Sequence, residues 1–203
     1  MKLQIPERVA SAEVAQAAGP RGRIVHGPSP LAPGAVLCGP AFTCACAPED
    51  NLALHRALLA ASPGAVLVAA AGGTSEGALL GELMALDALR AGITGLVTDG
   101  PVRDAAALEA LPFPVFHRGF APRACGKERL GSVGEPVELG GVVVVTGDVV
   151  VADRDGIVVV DPADWPEIEA EVRGLREREE GIKAELAAGR RLGHVLGLDE
   201  AGG

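Results

Sequence analysis

The sequence predicts a single α/β domain, a β/β/α mixture in which a partly parallel sheet is followed by antiparallel hairpins and a C-terminal helix. Apolar strands and short helices alternate through the middle of the chain, which is the order that a parallel sheet requires. A Val-rich stretch at 137–160 is divided by Gly-containing turns, which is typical of β-hairpins. The length of 203 residues suits one domain, since domains usually have about 100–200 residues.

Helices and strands alternate along the first part of the chain. The predicted helices cover residues 7–18, 50–61, 80–91 and 105–111, and the predicted strands cover residues 35–47, 65–71, 93–99 and 114–116. In the second helix Leu54 and Leu58 have helical spacing, and either Asp50 or Asn51 can cap its start. The run AVLVAAA at 65–71 is continuously apolar, which favours a strand buried on both faces.

Three turns divide the Val-rich stretch, namely Gly140-Gly141, Gly147-Asp148 and Asp155-Gly156. Each lies between runs of β-branched residues, so we expect a hairpin at each. The chain then enters a charged helix over about residues 162–188, with Pro162 at its start and Gly189 after its end.

Composition excludes several classes of partner. Eighteen Lys and Arg against 27 Asp and Glu give a net charge of −9, and aromatic residues are only 2% of the chain. Such a protein repels phosphate backbones and has few rings on which bases could stack, so we expect no direct nucleic-acid binding. The first twenty residues lack the apolar segment of a signal peptide, and no apolar run is long enough to cross a bilayer. We therefore expect a cytoplasmic protein with no membrane contact.

Three familiar kinds of site are not predicted. Residues 72–77 (GGTSEG) resemble half of a phosphate-binding loop, but the Lys that such a loop requires is missing. An anion could still be received by the backbone at Gly73 and by the free N–H groups of a helix that starts near Gly81. The four cysteines form no CxxC pair, so we expect small buried side chains in a reducing compartment. The histidines, at positions 26, 55, 117 and 194, are too scattered to predict a zinc site.

The stretch LVTDGPVRD at 96–104 carries the most chemical information. The end of a predicted strand places Asp99, Arg103 and Asp104 on one loop, where catalytic groups of parallel sheets commonly lie. An Arg offers a planar fork to a carboxylate substrate, and an adjacent Asp offers hard oxygen to Mg²⁺. Structural roles are equally open, because Asp104 could cap helix 105–111 and Asp99-Gly100 could be a simple turn.

Several segments in this order resemble the RraA-like family, which includes 4-hydroxy-4-methyl-2-oxoglutarate and 4-carboxy-4-hydroxy-2-oxoadipate aldolases, oxaloacetate decarboxylases and the regulator of ribonuclease E. The segments are DNLALHRAL, PGAVLVAAAGG, GELMALDALRAG, LVTDGPVRD, FPVFHRG and GDVVVADRDGIVVV, within about residues 35–190. The family's aldolases have an acidic residue that is followed, after twenty intervening residues, by Arg-Asp. Glu82 with Arg103-Asp104 fits this pattern. The resemblance implies a swivelling β/β/α sandwich spanning residues 1–203, with a core at about 35–160, that assembles as a trimer or hexamer with sites between subunits.

The resemblance also implies roles for particular residues. The pyruvyl carboxylate would be held by Arg103 and by the backbone amides of Gly81, Glu82, Leu83 and Met84. Asp104 would hold Mg²⁺ or Mn²⁺, and Glu82 would orient a metal-bound water. A Glu from the C-terminal helix of a neighbouring subunit would complete the site.

We choose Glu179 as that residue, with Glu177 and Glu180 as rivals because the helix register is not fixed. An entirely structural interpretation of this cluster is also open, since Arg176/Glu180 and Glu179/Lys183 have the spacing of ion pairs on a solvated helix face. One departure from many family members is Ala70-Ala71, where an acidic residue commonly precedes the paired glycines.

The implied activity is a divalent-metal-dependent, class II type lyase. It would cleave a 4-hydroxy-2-oxo dicarboxylic acid to pyruvate by a retro-aldol reaction, decarboxylate oxaloacetate, or do both, through an enolate that the metal and Arg103 stabilise. The alternative that the resemblance leaves open is a non-catalytic protein that binds and inhibits ribonuclease E.

Overall fold

A curled sheet forms the centre of the fold in the computed structural model, which describes residues 9–72 and 75–198. The strands are β1 Arg23–Val25, β2 Ser29–Pro30, β3 Leu37–Ala45, β4 Val66–Ala70, β5 Gly95–Thr98, β6 Val115–His117, β7 Ser132–Val133, β8 Val137–Leu139, β9 Val142–Val144, β10 Val149–Asp153 and β11 Gly156–Val160. The helices are α1 Ser11–Ala18, α2 Leu52–Ala60, α3 Glu82–Arg90, α4 Ala105–Ala110, α5 Trp165–Ala187 and α6 Leu192–Val195. The start predicted for the first helix, at residues 7 and 8, and the loop residue Gly73 lie outside the described residues.

The strand order is β1-β11-β10-β3-β4-β5-β6-β2, with β7 paired to the end of β3. Strands β3 to β6 are mutually parallel, which confirms the parallel portion that the strand–helix alternation predicts. The first half of β3 pairs antiparallel with β10, and its second half pairs parallel with β4. Gly39 allows this change of partner, because a Cβ there would lie 2.7 Å from the carbonyl oxygen of Gly64.

The sheet is buried on both faces, which explains why its strands are continuously apolar. Along β4, Val66 and Val68 point to a core under the β8-β9 ribbon, whereas Leu67 and Ala69 point to a core under α2, α3 and α4. A third core lies on the other side of β10 and β11, where α1 and α5 cover the sheet with Trp165 and other apolar side chains.

One predicted hairpin is wrong. Gly140-Gly141 joins β8 to β9 and Asp155-Gly156 joins β10 to β11, as expected, but Gly147-Asp148 connects strands of two different sheets. The buried carboxylate of Asp148 explains the difference, since its Oδ2 accepts a hydrogen bond from Val145 N at 2.8 Å and pairs with Arg23 at 2.9 Å. The Asp148 carboxylate therefore holds the turn against β1, and β10 does not pair with β9.

The charged C-terminal helix is confirmed as α5, which Gly189 follows, but it begins at Trp165 and its N-terminal proline is Pro166 rather than Pro162. Among the described residues, no helix combines the length and the apolar character that crossing a bilayer requires.

Candidate active site

Two loops meet at the carboxyl ends of β4 and β5. Ala71 N donates a hydrogen bond to Asp99 Oδ1 at 2.5 Å, Leu79 N donates to Pro101 O at 2.9 Å, and Arg103 N donates to Leu80 O at 3.0 Å. Asp99 is buried, and its carboxylate links the two loops by this hydrogen bond. Its role in the fold is therefore structural. The same hydrogen bonds place the residues after β5 in contact with the first turn of α3.

Asp104 has an unusual backbone for a residue with a side chain, with φ 58° and ψ 41°. It precedes α4, but its carboxylate makes no capping bond to that helix, so the capping interpretation is wrong. The carboxylate instead reaches across to α3, where Glu82 N donates to Asp104 Oδ2 at 3.1 Å. Left-handed conformations of non-Gly residues cost free energy and concentrate at functional sites.

Arg103 lies beside this carboxylate, with its Nε 3.6 Å from Asp104 Oδ2, and both side chains are about two-fifths exposed, at 40% and 41%. The two groups close on Gly81, where a Cβ would lie 2.5 Å from Asp104 Oδ2 and 3.0 Å from Arg103 Nε. The backbone of Gly81 is extended, so a side chain is excluded by the neighbours and not by the φ angle. A glycine is therefore what allows Arg103 and Asp104 to approach the start of α3.

A pocket of about 170 Å³ opens beside these groups. Its walls come from α2, from the start of α3 and from the loops after β4, β5 and β6; the lining residues are Asn51, His55, Ala78, Leu79, Gly81, Leu83, Met84, Arg103, Ala124 and Lys127. The charged side chains of the lining, Arg103 and Lys127, are both cationic, although the whole chain carries a net charge of −9. These two cations can bind an anionic group, while the carboxylate of Asp104 lies beside Arg103 at 3.6 Å.

The structure brings most of the predicted substrate-binding residues together. Gly81, Leu83, Met84 and Arg103 line the pocket. Glu82 is exposed at its edge, and its backbone N–H is already used by Asp104. The first N–H groups of a helix have no partner within the helix, so the start of α3 presents donors to a bound anion.

Asn51 and His55 are pocket residues that the sequence reasoning did not select. Asn51 is 5% exposed, and its Nδ2 donates to Leu79 O at 2.7 Å. His55 lies one turn further along α2, where burial and then the nearby charge of Lys127 lower the pKa of its imidazole. The sequence does contain a signal for this pair. The two residues are four positions apart, a spacing that places both side chains on one face of a helix and here on the same pocket wall.

The residues next to Asn51 hold the pocket together. Glu49, with φ 58°, accepts hydrogen bonds from the N–H groups of Glu76 and Gly77 at 2.7 and 2.9 Å. Asp50 Oδ1 accepts from Leu52 N at 2.9 Å and so starts α2, while its Oδ2 accepts from Glu128 N at 2.7 Å. Burial opposes ionisation of Asp50, but backbone donors from both segments outweigh it and lower the pKa.

Glu179 is not brought to the pocket within one chain. It is exposed on α5, and no residue of α5 lines the pocket. The hydrogen-bonded ion pairs differ from the i,i+4 alternative, since Lys183 Nζ bonds Glu180 Oε1 at 2.7 Å and Arg176 bonds Glu13 of α1 at 2.6 Å. The role of Glu179 in a neighbouring subunit's site therefore stays a prediction.

The curled sheet, with its candidate site on the loops after β4 and β5, defines a class of proteins. Comparison with known sequences identifies the family that forms this class. The family model described as RraA-like, Aldolase/RraA, matches residues 11–159, and the chain belongs to this family. A relative from Halalkalibacterium halodurans, named "Putative 4-hydroxy-4-methyl-2-oxoglutarate aldolase", is 40% identical over 131 residues, which cover 64% of this chain and 62% of the relative. An uncharacterized protein of Methanocaldococcus jannaschii is 38% identical over 127 residues, which cover 63% of this chain and 61% of that protein. The chain thus spans about three-fifths of the curated relatives it matches.

Solved structures agree with the fold. An uncharacterized protein from Pseudomonas syringae has a TM-score of 0.82 at 26% identity, covering 93% of this chain and 92% of that one. A Streptomyces coelicolor protein described as an unusual member of the RNase ES inhibitor RraA family has a TM-score of 0.75 at 32% identity, covering 90% and 93%. The Thermus thermophilus RNA-processing inhibitor RraA has a TM-score of 0.70 at 28% identity, covering 75% and 93%.

Proposed function

We propose that the protein is a metal-dependent lyase that releases pyruvate from a small 2-oxo acid, by retro-aldol cleavage of a 4-hydroxy-2-oxo dicarboxylic acid, by decarboxylation of oxaloacetate, or by both. The observation that carries the proposal is the placement of Arg103 and Asp104 against the start of α3, which only a glycine at position 81 permits. The name of the relative from H. halodurans supports the same class of reaction.

The donor groups fit a hard divalent cation that keeps part of its water shell. No group of three or more His, Cys, Asp or Glu side chains within residues 9–72 and 75–198 could hold a metal, so these residues offer no closed protein cage. Mg²⁺ is commonly held by one or two carboxylates together with water and substrate oxygens, and Mn²⁺ accepts the same oxygen donors. Asp104 would supply the carboxylate, and the bound ion supplies Lewis-acid polarisation of the 2-oxo group.

Arg103 binds the substrate carboxylate through its planar fork and places positive charge where the enolate develops. The N–H groups at the start of α3, at Leu83 and Met84, orient the same carboxylate. Glu82 orients the water that receives the proton of the C4 hydroxyl in the aldol reaction, whereas decarboxylation needs no such base. Glu179 of an adjacent subunit completes the site in a homotrimer or hexamer.

The test is a coupled assay for pyruvate with oxaloacetate and with 4-hydroxy-4-methyl-2-oxoglutarate, each with Mg²⁺, with Mn²⁺ and with EDTA. Metal-dependent release of pyruvate from either substrate supports the proposal. No release from either substrate with either metal would contradict it.

A second candidate function follows from the similarity to the Thermus RraA structure, which is described as an RNA-processing inhibitor. In that case the acidic chain binds the basic surface of a ribonuclease of the E type, and the pocket is not needed. Inhibition of such a ribonuclease that survives Arg103→Ala would favour this function.

A further inference from the structure

Two buried polar atoms in the pocket wall have no hydrogen-bond partner among the described residues. They are Asn51 Oδ1 and His55 Nε2. Buried polar groups are nearly always satisfied by protein, water or ligand, so atoms of this kind at a pocket mark a place where a ligand group can replace bound water. Both residues line the pocket that also contains Arg103.

The orientation of the Asn51 amide is fixed by its surroundings. Leu79 O can only accept, and it lies 2.7 Å from the Asn51 nitrogen, so the amide cannot be flipped. The remaining atom, Oδ1, is then an acceptor and requires a donor from the ligand.

His55 offers a complementary group one helical turn away. Its backbone N–H bonds to the carbonyl oxygen of Asn51 at 3.1 Å, which keeps the two residues on one wall. Burial and the charge of Lys127 lower the pKa of the imidazole, which favours the neutral ring with one N–H. Nε2 can therefore donate in one tautomer and accept in the other.

A hydroxyl is a ligand group that can satisfy both atoms. A carboxylate has no hydrogen to give, so its oxygens would oppose Asn51 Oδ1. An ammonium group could donate, but Arg103 and Lys127 in the same lining would repel it. In the bound substrate a hydroxyl donates its one hydrogen to Asn51 Oδ1, from which the hydrogen turns to the water oriented by Glu82 when the proton is transferred, and it keeps lone pairs that can accept from His55 Nε2.

We propose that Asn51 and His55 form a subsite that binds the C4 hydroxyl of a 4-hydroxy-2-oxo acid and makes the pocket selective for hydroxylated over unhydroxylated 2-oxo acids. This inference rests on the proposed lyase function. Neither residue is assigned a bond-breaking role; they determine specificity. Sites built to hydrogen-bond a substrate hydroxyl discriminate strongly against analogues without it, because their buried polar groups are then left unpaired.

The first experiment compares kcat/KM for 4-hydroxy-4-methyl-2-oxoglutarate and for oxaloacetate in His55→Leu and Asn51→Ala. We expect the ratio of kcat/KM for the hydroxylated substrate to kcat/KM for oxaloacetate, which has no such hydroxyl, to fall at least about tenfold in each variant. His26→Leu is the matched control, since His26 is exposed and lies outside the pocket lining. A merely structural role would lower both activities together and leave their ratio unchanged, which would overturn the subsite.

A second experiment needs neither turnover nor a variant. The wild-type protein with Mg²⁺ is titrated in a calorimeter with 2,4-dihydroxyglutarate and with 2-hydroxyglutarate, which lack the 2-oxo group that cleavage requires and differ only at C4. We expect the dihydroxy acid to bind at least about tenfold more tightly, equivalent to about 1.4 kcal/mol. Equal affinity overturns the subsite, whereas a binding preference without pyruvate release in the coupled assay overturns the lyase function and leaves the subsite standing.

Discussion

Replacing Gly81 by Ala should disable the site while leaving the fold almost intact. The added Cβ would lie 2.5 Å from Asp104 Oδ2, where van der Waals contact begins at roughly 3.4 Å, so the carboxylate must move by about 1 Å. The backbone at position 81 has φ −140°, which Ala adopts without strain. The free energy of unfolding should fall only by the bond that Glu82 N donates to Asp104, at most about 1.5–3 kcal/mol for a charged acceptor and less at this half-exposed position.

The effect on catalysis should be larger, because a displacement of about 1 Å at a catalytic group can cost on the order of a hundredfold. We therefore expect kcat/KM for pyruvate release to fall about a hundredfold, measured with the coupled assay in Mg²⁺. Gly34→Ala is the matched control, since a Cβ at Gly34 has no atom within 4 Å. Wild-type kcat/KM in a correctly folded Gly81→Ala protein would refute the assignment of Asp104 and Arg103 to the site.

Other perturbations test the remaining assignments. Arg103→Lys should lower kcat/KM at least about tenfold, or roughly 1.4 kcal/mol, because Lys cannot form the bidentate fork, while the melting temperature stays unchanged; full activity would remove Arg103 from the site. Excess EDTA should abolish pyruvate release and added Mg²⁺ should restore it, whereas full turnover in chelator would exclude the metal. Asp104→Ala and Glu179→Ala should each be nearly inactive, and co-refolding should restore activity at roughly a quarter of the interfaces of mixed rings; mixing confirmed by mass spectrometry without recovery would refute a shared site. The hydrogen bond from Arg176 lowers the pKa of Glu13 below 4.5, so the stability it contributes is present above the unfolded pKa and is lost as the pH falls through the lowered value; the melting temperature of Glu13→Gln should therefore depend less on pH in that acid range than that of wild type.

Local patterns predicted the larger elements of the fold but not the smallest ones. β4 and α3 are evident from a continuous apolar run and from helical spacing, because these signals lie within a few residues of each other. The two-residue strands β2 and β7 exist only through partners distant in the sequence, at β6 and β3. The misinterpreted turn at Gly147-Asp148 has the same origin, since the residue that decides it, Arg23, is more than a hundred positions away.

The candidate site divides in a similar way. Arg103 and Asp104 could be selected from one loop and a family pattern, but the left-handed backbone of Asp104 and its reach to Glu82 are tertiary facts. The scattered histidines predict no zinc site and nothing in the pattern singles out His55, because its place in the site depends on burial beside Asn51. The contribution expected from Glu179 needs a second chain, which one sequence cannot position.

The divided pairing of β3 has a consequence for how the protein unfolds. Residues Leu37 to Pro40 belong to the antiparallel half of the sheet and residues Ala41 to Ala45 to the parallel half, so neither half can lose its order without removing a neighbour from the other. The two halves should therefore behave as one cooperative unit, and the amides of β3 should exchange with solvent deuterium only through global opening. A chain cut between residues 46 and 49, just after this strand, would separate β3 from β4, and its two fragments should become structured only when they are mixed.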